Sequence, residues 1–196
     1  LNDRTQVACA EQACTDWLAA WMARTGFLAS AQECVVRAFG LGTGAWALWV
    51  DAGAGEVRVR RYDARMIVPL TWDEEGVTEC AFVTRAFWRG HAVDQVQLHL
   101  KGADSTFFSP SEKLGRVSAA ARSSRPGSSP LENGGTEGTY RIVTACFDRD
   151  GNRVEPEGVC PVYDTGSVWP TFSIVKPAID NTRVDMSPYG QSVFAD

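Results

Sequence analysis

Residues 45–62 read A-W-A-L-W-V-D-A-G-A-G-E-V-R-V-R-R-Y, and the reading of this stretch decides the fold class. Ala45 to Val50 is a nearly unbroken apolar run, as expected of a strand buried on both faces. Asp51 to Gly55 contains two glycines and reads as a short turn. Val57 and Val59 then alternate with Arg58 and Arg60, which places the arginines on the wet face of a returning strand. The stretch therefore predicts a β-hairpin.

Upstream of the hairpin the apolar period is helical. Val7, Ala10, Cys14, Trp17 and Trp21 step by three or four, predicting a helix over 3–24. Gly26 interrupts it. Phe27, Ala31, Cys34, Val35 and Ala38 keep the same spacing in a second helix to about Phe39, which Gly40 stops. Ser30-Ala31-Gln32-Glu33 matches a capping box, with Ser30 accepting from a free N–H of the first turn. The tryptophan-bearing stripe of the first helix is open to two readings, a subunit interface or intramolecular core.

Downstream the period is two. Pro69 is expected to end a short strand, and Trp72–Gly76 (W-D-E-E-G) to form a turn. V-T-E-C-A-F-V-T-R-A-F (77–87) is a strand, turned at Gly90 into V-D-Q-V-Q-L-H-L (93–100). There Val96, Leu98 and Leu100 alternate with Gln95, Gln97 and His99, so His99 falls on the polar face. The class is α+β: two N-terminal helices followed by an antiparallel β-meander, interrupted by a long flexible insertion.

That insertion, residues 101–138, is rich in Ser, Gly and Pro and cannot offset its ordering entropy by burial, apart from a short helix near 111–121. Residues 1–100 form the helices and meander. Residues 139–196 continue the sheet with Thr139–Asp148, turn at Asp150-Gly151, and run through a connecting loop. Ser187 and Pro188 sit at cap and first-turn positions, predicting the start of a further helix.

The 196 residues, 44% of them hydrophobic and seven of them tryptophan, suffice for a folded core. The chain opens on Leu1 without a leader and has no run long enough to span a membrane, and is expected to be a soluble piece of a longer product. Net charge is −5 with both signs interspersed, which argues against coating nucleic acid. Six cysteines (9, 14, 34, 80, 146 and 160) form no C-x-x-C, and their spacing favours free, mostly buried thiols in a reducing compartment.

Four motifs invite a chemical reading. Asp164-Thr165-Gly166-Ser167 spells an aspartic-peptidase signature, but that chemistry needs two facing carboxylates and the chain has a single copy. A dimeric peptidase using Asp164 is the alternative to an Asx turn. Gly40, Gly42 and Gly44 follow a helix and open a strand, the reverse of a dinucleotide loop, and read as a helix stop. Asp148, Asp150 and Asn152 imitate a calcium loop, but Arg153 occupies the obligatory glycine position and Val159 the closing glutamate position. His91 and His99 lack a nearby nucleophile or carboxylate and read as surface residues, and no nucleophile elbow occurs. The residues thus predict no enzyme, no cofactor and no metal site.

Two blocks resemble a known family. R-A-F-G-L-G-T-G-A-W-A-L-W-V through T-E-C-A-F-V (37–83) resembles a segment of portal proteins of tailed phages of Gram-positive bacteria: a helix ended by a glycine turn, a hairpin, then a Pro-Leu-x-Trp-Asp turn. C-P-V-Y-D-T-G-S-V-W-P-T-F-S-I-V-K-P through P-Y-G-Q-S-V-F-A-D (160–196) is similar to the same family's closing stretch, and is the more specific match. The matched blocks span nearly all of 37–100 and 139–196; the insertion departs from the pattern. The resemblance implies an outer, wing-like region of a structural subunit. Such subunits form a ring of about a dozen copies at the capsid vertex. The implied partners are the chain itself, capsid or scaffold protein, terminase and head-completion proteins. DNA would pass through the channel without touching this region, and no membrane is implied. Assembly would occur in the bacterial cytoplasm and the product would reside in the virion. Another virion protein reusing the domain is the further alternative.

Overall fold

The computed structural model describes residues 7–51, 54–102, 138–178, 181, 184 and 187–194. It bears out the α+β class: two helices, then antiparallel strands. The chain divides into two compact units, one of Leu1–Asp51, Glu56–Ala64 and Ser173–Asp196, the other of Ala52–Gly55 and Arg65–Phe172.

In the first unit, α1 (Gln12–Thr25) and α2 (Phe27–Leu41) are separated by Gly26 alone. Gly26 has φ +61°, a left-handed conformation in which its N–H closes on the carbonyls of Met22 and Ala23. The glycine serves as C-cap of α1 and N-cap of α2 at once. Ser30 therefore lies inside α2, one turn beyond the start, and the expected capping box does not form. Its Glu33 instead bonds Arg37 and, across to the hairpin, Arg61. The helix also runs two residues past Phe39, to a left-handed Gly42 rather than Gly40.

The hairpin is β1 (Gly44–Asp51) and β2 (Glu56–Asp63), paired from Gly44↔Asp63 to Asp51↔Glu56. With β9 (Phe172–Val175) it makes a three-stranded sheet in the order β2-β1-β9. Small side chains set how closely α2 approaches β1. Ala31, Cys34 and Ala38 are buried on the helix, and Gly44, Ala45 and Ala47 on the strand. A Cβ on Gly44 would meet Cys34 Sγ at 3.1 Å and Ala38 Cβ at 3.3 Å. β1 is buried only in its first half; Leu48 is exposed, which corrects the expectation of a strand covered on both faces. Tyr62 and Trp21 are large side chains buried in this unit, and the Trp21 indole N–H donates to the Val57 carbonyl at 3.0 Å. Trp17, 56% exposed, stacks on Trp21. The stripe is thus divided: Trp21 is intramolecular core and Trp17 is surface. Val7 and Ala10 precede the helix.

In the second unit, β3 (Ile67–Trp72), β4 (Val77–Trp88), β5 (His91–Lys101), β6 (Tyr140–Phe147) and β7 (Arg153–Val154) follow one another in a meander. β8 (Val162–Asp164) pairs with β6 beside β7, giving six strands. Pro69 does not end β3 but sits inside it, next to a register shift. Among the described residues β3 is the edge strand of this sheet, and an edge strand tolerates a residue without an N–H. The Arg89-Gly90 turn has positive φ at both residues (49° and 81°), the twist that suits a two-residue hairpin. Leu70, Ala81, Val96, Leu98, Leu100, Val143, Ala145 and Phe147 fill one face.

β5 and β6 pair from Asp94↔Phe147 to Lys101↔Tyr140, and Gly102 N–H donates to Thr139 O at 2.9 Å. The chain thus leaves the sheet after Lys101 and re-enters it at Tyr140 at adjacent points. Residues 103–137, with the helix expected near 111–121, lie outside the described residues.

At the other end, the described residues 187–194 do not form the helix expected to start at Ser187. Residues 187–194 form bends and a turn, with Ser187 Oγ accepting from Tyr189 N–H at 3.2 Å. The cap-like bond is made, but Gly190 N–H, Ser192 Oγ and Val193 N–H then bond to Thr43, Gly40 and Phe39 rather than continuing a helix.

Candidate functional site

Asp164 ends β8, and the tetrapeptide that follows folds back on the start of β6. Asp164 Oδ1 accepts from Gly166 N–H at 3.0 Å, which is an Asx turn, and Gly166 takes φ +64° to close it. Thr165 donates both its N–H (3.1 Å) and its hydroxyl (2.7 Å) to Tyr140 O, and Tyr140 N–H donates to Ser167 O at 2.7 Å. Arg141 Nε lies 3.6 Å from the second Asp164 oxygen. Each polar group of the signature thus has a structural duty. The carboxylate faces a turn amide and a guanidinium, whereas acid proteolysis requires a second carboxylate sharing a proton with the first.

Of the three glycines read as a helix stop, Gly42 caps α2, whereas Gly40 lies inside the helix and Gly44 opens β1; the closing segment docks on this turn. Gly190 N–H donates to Thr43 Oγ1 (2.9 Å), Ser192 Oγ donates to Gly40 O (2.7 Å), and Val193 N–H donates to Phe39 O (3.0 Å). Two glycines meet here: a Cβ on Gly42 would lie 2.5 Å from Gly190 O, and one on Gly190 would collide with Gly42 O. No local sequence pattern signals this junction, because its halves are separated by some 150 residues.

The calcium-like segment is a hairpin turn. Asp148 Oδ1 accepts from the N–H groups of Asp150 (2.9 Å) and Asn152 (2.8 Å), and these bonds, that from Asn152 foremost, hold its carboxyl below the usual range. Among the described residues no group of three or more His, Cys, Asp or Glu is placed to hold a metal ion.

His91 is exposed, as the sequence predicts. His99 is not: it is 0% exposed, ringed edge-on by Phe82 and Phe172 at 5.1 and 5.7 Å. Its Nδ1 lies 2.6 Å from Thr171 Oγ1, while Nε2 has no hydrogen-bond partner among the described residues. Burial alone pushes its pKa down to about 3. β5 is central, and the Thr171–Phe172 segment covers the face that period two assigns to solvent. The thiols divide evenly: Cys34, Cys80 and Cys146 are buried, with desolvation raising their pKa values, and Cys9, Cys14 and Cys160 are exposed. A thiol raised in this way is a poor nucleophile.

No helix of the described residues is long and apolar enough to cross a membrane. Comparison with protein-family models, with curated proteins and with solved structures gives no match to this chain.

Proposed function

We propose that this chain is part of the wing-like region of a phage portal subunit, a structural protein of the ring through which the genome is packaged and ejected. The observation that carries the reading is the meeting of its two portal-like blocks. The glycine turn of 37–83 and the P-Y-G-Q-S-V segment of 160–196 resemble that family separately, and three hydrogen bonds join them within one compact unit. Two motifs that are distant in sequence thus act as one built element. The α+β class and the Asx turn at Asp164 support a scaffold role, in which the carboxylate shapes a loop and performs no catalysis.

In this reading the partners are neighbouring copies, capsid or scaffold protein, terminase and head-completion proteins. The absence of a concentrated basic patch in an acidic chain suits a region that DNA passes without contact. The working place is the capsid vertex of the virion, reached by assembly in the bacterial cytoplasm.

Native mass spectrometry of the subunit carrying this region tests the proposal. A closed ring of about a dozen copies is expected. A monomer, or an oligomer that does not close, would overturn it.

A further inference from the structure

On its side away from β5, β6 is shared by two short strands. Cys146 and Phe147 pair with Val154 and Arg153 of β7, whereas residues 141–143 pair with β8. Residues 155–161 join the two strands as a loop. A cavity of about 280 Å³ lies in this gap, with Thr144 and Ala145 of β6 on its lining opposite Arg153, Pro156, Val159 and Pro161. The loop is braced without a ligand. Thr144 N–H donates to Pro161 O at 2.8 Å, Val159 N–H closes on Pro156 O at 3.4 Å, and Gly158 takes φ +82°. Two prolines stiffen it further.

The lining holds one base and one acid. The Arg153 side chain is 22% exposed, and its ion-pair partner Glu155, 3.9 Å away, is 85% exposed. That separation is beyond hydrogen-bond reach, and a pair so open contributes little. Arg153 makes no side-chain hydrogen bond among the described residues, so a largely buried guanidinium presents its fork of donors beside an apolar cavity. That fork matches a carboxylate, which accepts two parallel hydrogen bonds.

We propose that the cavity binds a short, branched aliphatic carboxylate, with Arg153 holding the carboxylate and Pro156, Val159 and Pro161 packing the hydrocarbon. The exposed Glu155 side chain turns out to solvent as the ligand takes its place beside Arg153. Glu155 also selects against a dianion such as phosphate, because base and acid leave the lining with no net charge. The volume, that of roughly nine waters, lies just below drug-sized pockets and suits a hydrocarbon of roughly four carbons. So small a ligand binds with a dissociation constant on the order of a millimolar. A free acid and the C-terminal residue of a peptide share this chemistry. The site is independent of the portal reading, since its residues all lie in the second compact unit and no neighbouring copy is needed.

Two-dimensional amide NMR of the chain tests the proposal, with isovalerate as probe and isovaleramide as its uncharged counterpart. Isovalerate is expected to shift the amides of Thr144, Ala145 and the 153–161 segment saturably, and isovaleramide to bind about tenfold more weakly or worse. Arg153→Gln weakens isovalerate binding by about tenfold or more, and Arg153→Lys, which keeps the charge without the fork, falls between. Glu155→Gln tightens it roughly threefold, because a competing carboxylate is gone. Unchanged signals elsewhere show that each variant folds. Tighter binding of N-acetylvaline than of isovalerate identifies a chain terminus as the source and the reverse order a free acid; either upholds the site. No saturable shift at about fifty millimolar overturns it. So does equal binding of acid and amide, undiminished binding by Arg153→Gln, or weaker binding by Glu155→Gln.

Discussion

Gly190→Ala tests the junction between the closing segment and the α2–β1 turn, because the structure determines the sign of the effect. Gly190 has no left-handed φ, so alanine meets no backbone penalty there. In an open site the change would stabilise by about 0.4–1 kcal/mol through the unfolded chain. Here the new methyl collides with Gly42 O and presses on Lys176 Cβ at 3.1 Å and Pro177 Cδ at 3.2 Å. The first obstacle is backbone and the others are tethered, so the site cannot open cheaply. Overpacking of this kind costs about 1–3 kcal/mol, and the net effect is a loss of about 1–2 kcal/mol. Gly26→Ala and Gly42→Ala calibrate the reasoning. Both positions are left-handed, at φ +61° and +85°. A Cβ on Gly26 meets nothing within 4 Å, so that variant loses only the conformational cost, about 1–2 kcal/mol. A Cβ on Gly42 meets Gly190 O at 2.5 Å and Ser192 N at 2.9 Å, adding a further 1–3 kcal/mol or so. Urea unfolding followed by tryptophan fluorescence measures all three. A Gly190→Ala chain as stable as wild type, or Gly42→Ala no worse than Gly26→Ala, would show that the closing segment does not pack on the turn.

Three further outcomes are expected. His99 has a folded pKa of about 3 against an ordinary 6.5, so the unfolded state binds the proton more readily; stability is full above pH 6.5 and falls as pH drops from 6.5 towards 3. At pH 5 the loss is about 2 kcal/mol, and His99→Phe should flatten that slope in urea titrations; an unchanged slope would place the imidazole in water. Trp21→Ala should cost about 3–5 kcal/mol in unfolding free energy and Trp17→Ala under about 1.5, and equal losses would contradict the division of the stripe between core and surface. Replacing 103–137 by an Asn-Gly turn should shift the melting temperature by only a few degrees, because Lys101 already pairs with Tyr140; loss of the cooperative transition would show that the segment holds the sheet together.

Period and turn chemistry alone determined the fold class. Helical steps around Ala31, Cys34 and Ala38, alternation through β2, β4 and β5, and glycines at 26 and 90 are short-range signals, and each element formed where they placed it. The D-T-G-S segment was legible as a turn for the same reason, since an Asx turn is decided within three residues. Local rules misplaced other features wherever a distant partner intervened. Ser30 looked like a cap, but Gly26 had already closed α1 and opened α2. Ser187 and Pro188 looked like a helix start, but the amides that would propagate a helix bond to Thr43 and Phe39 instead. Pro69 could remain within β3 only because that strand is an edge, a property of the sheet and not of the residue. His99 sits on the face that alternation assigns to solvent, and only the arrival of Thr171 and Phe172, more than seventy residues later, makes that face interior. Sequence encodes which face a side chain takes; what covers that face depends on long-range packing, which the tertiary structure alone decides.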